Sequence, residues 1–139
     1  MRLWLIVMTS MWMHEMAHAA VALHQGDDTA KRLGRLSWNP LTHVSLVRTL
    51  LLPCVLLLCG LPPVGGMKPL PVDERKLRHG AKSDLAVSSA GIVANLLIAA
   101  VAYPLAHDVF VINICLAAFN MLPLPTFDGW RISRLLRDL

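Results

Sequence analysis

Apolar positions gather into four runs, 3–23, 49–64, 85–106 and 109–125, separated by short polar segments rich in Lys and Arg. As helices, the first and third reach roughly 30 Å, the thickness of a bilayer's hydrocarbon. The second run, TLLLPCVLLLCGLPPV, is shorter and is broken by Pro53, Gly60, Pro62 and Pro63. It is expected to dip into the apolar phase and return. The fourth, VFVINICLAAFNMLPLP, starts with helical character and then meets Pro123 and Pro125, which cannot continue a helical hydrogen-bond ladder. Between the first two runs, GRLSWNPLTHVSL places Leu36, Trp38, Leu41 and Val44 around the turn-forming Asn39-Pro40 pair. That segment and residues 67–72 predict short extended or β pieces. The pattern predicts an all-α membrane protein with three transmembrane helices, a short re-entrant segment and small extended pieces at the membrane interface.

Composition strengthens this picture. Hydrophobic residues make up 55% of the chain and charged residues 16%, against roughly 25% charged in soluble domains. The 139 residues are expected to form one domain, 1–139. The net charge of +4 lies in clusters between the apolar runs: Lys31, Arg32 and Arg35; Lys68, Arg75, Lys76, Arg78 and Lys82; Arg131, Arg134 and Arg137. Such clusters mark cytoplasmic loops and not a nucleic-acid surface. With a re-entrant second run they all fall on one side, and the N-terminus lies on the other. Cys54, Cys59 and Cys115 sit within apolar runs without zinc-ligand spacing and are expected to be buried fillers. A secretory signal ending near Ala17-His18-Ala19 would explain the N-terminal run. The run, however, continues to Leu23, and cleavage there would discard the most unusual chemistry in the chain.

That chemistry is HEMAH, residues 14–18. His14 and His18, four apart, project from one face of a helix and can hold one zinc ion through imidazole nitrogens. Glu15, about a hundred degrees around the helix, is placed to reach a water at the metal rather than the metal itself. This is the geometry of metal-assisted hydrolysis, with the glutamate as proton carrier. Ionisable groups at mid-membrane cost on the order of 2.5–3.5 kcal/mol each on insertion scales, so three together require a partner such as a metal. A catalytic zinc needs a third protein ligand and an open position. Asp128 is the carboxylate adjoining the broken end of the fourth run, although an Asp-Gly pair also makes an ordinary turn.

HEMAH, GRLSWNPLTHVS, KPLPV, AGIVANLL and FNMLPLPTFDGWRI together resemble the site-2 proteases, intramembrane zinc metalloproteases, in the order and approximate spacing of a minimal bacterial-type core. The resemblance implies that His14, His18 and Asp128 are zinc ligands and Glu15 the catalytic base. It implies that Asn120 and Asn95 help hold the substrate backbone or the tetrahedral intermediate. One departure is local: many relatives carry an acidic residue and a Pro-Gly pair after the histidine matching His43, where this chain reads VSLVRT.

The residues alone leave Asn95 open, because an asparagine four positions after Gly91 in a spanning helix also glues helices together. Asn113 reads as packing, and His43 as neither ligand nor catalyst. The expected function is a zinc-dependent endopeptidase that cuts a peptide bond within or near a partner's transmembrane helix. The expected location is the bacterial inner membrane, and the one-sided Lys and Arg clusters predict a site near its cytoplasmic face; lipid surrounds the chain, and homo-oligomerisation is left open. The competing expectations are a catalytically silent zinc-binding membrane protein that binds or escorts other helices, and a small metal carrier. The intact Glu15 speaks against the first, since a structural site needs a fourth ligand and no base.

Overall fold

The computed structural model describes residues 2–60, 66–125 and 127–137. Its helices are α1 (Arg2–His24), α2 (Thr29–Arg32), α3 (Leu52–Leu58), α4 (Ala81–Ala102), α5 (His107–Asn120) and α6 (Asp128–Arg137). Tighter or wider helical turns cover Pro40–His43, Leu46–Leu51 and Glu74–Lys76. The expected helical class is found. The first, third and fourth apolar runs supply α1, α4 and α5, the three helices that pack against one another, with α6 laid against α4.

Helix α1 stops where Gly26 adopts φ +107°, a conformation that L side chains rarely take. The next residue, Asp27, is buried and accepts hydrogen bonds from the backbone N–H groups of Thr29 (2.9 Å) and Asp73 (2.7 Å). Arg78 N–H donates to Gln25 O (2.9 Å), and Ser83 Oγ donates to Gln25 Oε1 (2.8 Å). The end of α1 therefore meets the start of α4. The chain between them begins and ends at the same end of the bundle. Residues 61–64 of that run lie outside the described residues.

Small side chains make the close packing possible. Ala19, Ala22, Ser83, Ser88, Ala90, Gly91, Ala99 and Ala117 are all buried, and such residues let helix backbones approach. The distribution of polarity is inverted relative to a water-soluble bundle. Ser10, His14, His18, Asp84, Asn95 and Asn113 are buried, whereas Leu5, Leu96, Leu97, Val101, Ile114 and Phe119 are exposed. The three cysteines expected to be buried are exposed as well; Cys115 is on α5, whose buried residues are Asn113 and Ala117.

One further expectation needs correction, and another is met in part. No β strand occurs among the described residues. Residues 66–73 have no helical or strand structure and reach residues 35–45 through single contacts: Lys68 N–H donates to His43 O (2.8 Å), and Arg35 Nη2 donates to Lys68 O (3.0 Å). Pro69 and Pro71 have no N–H to offer, so a ladder cannot propagate. Among the described residues one helix, Ala81–Ala102, is long and apolar enough to cross a membrane by length and composition. Helix α1 has comparable length, but its histidines, glutamate, Thr9 and Ser10 dilute its apolar character, and α5 has 14 residues.

Candidate metal centre

The two histidines of HEMAH lie one turn apart on the face of α1 that packs against α4, and both are buried. His18 Nδ1 donates to the Val87 carbonyl at 2.6 Å. That bond leaves Nε2 bare and directs it inward, the arrangement a metal-ligating imidazole needs. His18 Nε2 is 3.0 Å from His14 Nε2. Asp128 Oδ2 is 3.1 Å from His14 Nε2 and 3.2 Å from His18 Nε2. Three potential ligand atoms therefore form a nearly equilateral triangle.

This donor set fits zinc. Bonds of about 2.0–2.2 Å in a tetrahedral site separate neighbouring ligand atoms by about 3.3–3.6 Å, a few tenths beyond the observed triangle. Two imidazoles and one carboxylate leave a fourth position for water or substrate, as in catalytic zinc sites. Among the described residues, His14, His18 and Asp128 form the one group of three or more His, Cys, Asp or Glu ligand atoms close enough to share an ion.

Two glycines let the triangle close. A Cβ built on Gly91 would overlap ring atoms of both His14 and His18, so α4 must present bare backbone to the histidines. A Cβ on Gly129 would overlap the Met121 carbonyl. The chain leaves the helix over 121–125 after α5 and folds back tightly enough that α6 can begin at Asp128. The prolines end one helix, and the glycine admits the return. Asp128 also borders a cleft of about 270 Å³ whose lining includes Pro125, Phe127, Trp130 and Arg134.

Glu15 is half-buried on α1, and the backbone of Leu70 lies close to its carboxylate. The 66–73 segment thus runs beside the base. Asn95 is completely buried, one helical turn beyond Gly91 on α4. Asn120 lies at the C-terminal end of α5, where its Nδ2 donates to Leu116 O (2.9 Å). Asn113, also fully buried, donates from Nδ2 to Ser10 Oγ (2.9 Å) and so joins α5 to α1. His43 is buried at the turn that meets Lys68.

Sequence reading passed over three contributors to this geometry: the Val87 carbonyl, the Leu70 backbone and the ion pair between Arg131 and Asp84 (2.7 Å). The first two are main-chain groups and leave no signature in residue identity. The third had one, an aspartate in the first turn of an apolar helix and a basic residue three after Asp128.

No family model matches the chain, and no solved structure matches it. The chain is 36% identical over 148 aligned residues to a protein of Bacillus subtilis (strain 168) named "Putative zinc metalloprotease YwhC", a similarity that takes in 91% of this chain and spans 64% of that protein's length.

Proposed function

We propose that the chain is a zinc-dependent endopeptidase of the site-2 type that hydrolyses a peptide bond within or near the transmembrane helix of a membrane-anchored protein. The observation that carries the reading is the triangle of His14, His18 and Asp128 with Glu15 on the next position of the same helix. The name of the Bacillus relative agrees with it.

Zinc held by the three ligands would supply Lewis acidity, polarising a carbonyl and lowering the pKa of a water molecule to about 7. The chain's own residues do the rest. Glu15 accepts the proton that the attacking water gives up as its oxygen bonds to the scissile carbonyl carbon. It then returns that proton to the departing nitrogen as the C–N bond breaks, leaving a carboxylic acid and an amine, between which the acid proton then passes to give a carboxylate and an ammonium. Asn120, at the break before Asp128, and Asn95, one turn from Gly91, are assigned to steadying the substrate backbone or the tetrahedral intermediate.

The membrane part of the reading rests on the inverted polarity of the bundle, with Asn95 and His14 inside and Leu96, Leu97 and Val101 outside. A bilayer rewards that distribution and water does not. In this reading α1, α4 and α5 are the three spanning helices of an integral protein of the bacterial inner membrane. The metal site then lies near the cytoplasmic face, where the clustered Lys and Arg residues gather.

The test is cleavage of a panel of membrane-helix substrates by the purified, zinc-loaded chain beside its Glu15→Gln variant. Cleavage by the wild type alone supports the mechanism. One zinc per chain with no cleavage by either form supports a silent zinc-binding protein instead.

A further inference from the structure

We propose that Arg131 is a positioning residue whose ion pair with Asp84 sets Asp128 against the two histidines. The proposal rests on the zinc-site reading above. Arg131 follows Asp128 by three positions on α6, so the two project from neighbouring points of one helix surface. Its Nη2 lies 2.7 Å from Asp84 Oδ1 and 3.0 Å from Glu74 Oε1. Asp84 is buried in the first turn of α4, three residues before Val87, whose carbonyl orients His18, and seven before Gly91, which seats both rings. Ser88 Oγ, one turn on, lies 3.4 Å from the same Oδ1. One arginine thus ties the helix that carries the third ligand to the helix against which the two histidines pack.

Glu74 adds a third attachment, at the helical turn that follows the extended segment beside Glu15. Its side chain is mostly exposed, whereas that of Asp84 is 7% exposed. A pair with one desolvated carboxylate is costly to break, and an exposed pair contributes little. Asp84 is therefore the partner that fixes α6. Without the pair, α6 keeps Asp128 in sequence but loses the contact that sets its distance from Nε2 of each histidine.

The experiment measures zinc affinity by chelator competition, together with the visible absorption of the cobalt-substituted full-length chain. It compares wild type, Arg131→Met, Asp84→Asn, these two changes combined, Glu74→Gln and the charge-reversed double variant Asp84→Arg/Arg131→Asp, all confirmed folded by circular dichroism. The expected result is at least tenfold weaker zinc binding and an altered cobalt spectrum for Arg131→Met and for Asp84→Asn. The two changes combined should be no worse than either alone, Glu74→Gln should stay within twofold of wild type, and the reversed pair should recover part of the loss. Wild-type affinity and spectrum in folded Arg131→Met or Asp84→Asn would overturn the positioning role while leaving the zinc site standing. A wild type that binds no zinc would overturn both.

Discussion

His18 Nε2 and Asp128 Oδ2 stand 3.2 Å apart although 110 residues separate them in the chain. Zinc binding is expected to need both ends of that separation. His14→Ala, His18→Ala and Asp128→Ala should each reduce bound zinc from one per chain to a small fraction under chelator competition. Any of them retaining wild-type affinity would remove that residue from the ligand set.

The bare backbone at Gly91 carries a second prediction. A methyl group there would overlap both imidazole rings, and displacing the groups around a metal site commonly costs about 10–100-fold in affinity. Gly91→Ala should weaken zinc binding to that extent. Gly129→Ala should do the same by a different route, since its Cβ would meet the Met121 main chain and displace Asp128. Unchanged affinity in either variant, read by the same competition assay, would contradict the packing described.

Topology is open to labelling. Lys31 and Arg75 are exposed, and Lys76 Nζ lies 3.3 Å from Asp28 Oδ1, so the two loops adjoin. Cysteines at positions 31 and 75, in a background where Cys54, Cys59 and Cys115 are serine, should react with an impermeant thiol reagent from the same side of the membrane. Labelling from opposite sides would rule out the re-entrant path.

Burial, with the Arg35 charge nearby, pushes the His43 imidazole below its ordinary value. The folded chain therefore keeps His43 neutral, while the unfolded chain takes up a proton near pH 6.5. Protons favour the unfolded state below that pH, and stability falls as pH drops from 6.5 towards the lowered folded value. Thermal unfolding at pH 7.5 and 5.5 should show a smaller acid penalty for His43→Gln than for wild type. Equal penalties would mean that His43 contributes nothing to the acid response.

Much of the site was legible because its chemistry is written in residue types that an apolar run would otherwise exclude. HEMAH and the broken end before Asp128 are visible for that reason, and the structure brings them together. The expected β pieces did not form, because a run of alternating apolar residues says nothing about where hydrogen-bond partners will lie, and Pro69 and Pro71 cannot donate. The cysteines were misjudged because the pattern of an apolar run does not say which face meets protein; here the outward faces are apolar too. Gly91 was visible as a small residue, but its contact with two rings depends on the register between α1 and α4. That register comes from packing, and sequence periodicity specifies the face without the height.

The central claim is that this constellation cuts peptide bonds inside a membrane. Its most direct test is a membrane-anchored helical substrate co-reconstituted in lipid vesicles with zinc-loaded wild type or Glu15→Gln, with the cut site located by mass spectrometry. The account predicts a new terminus within or beside the substrate's hydrophobic segment for the wild type. It predicts a rate at least about 10²-fold lower for the variant, the lower end of what a general base contributes, at equal zinc content. Equal cleavage by both proteins, or cleavage confined to soluble parts of the substrate, would contradict it.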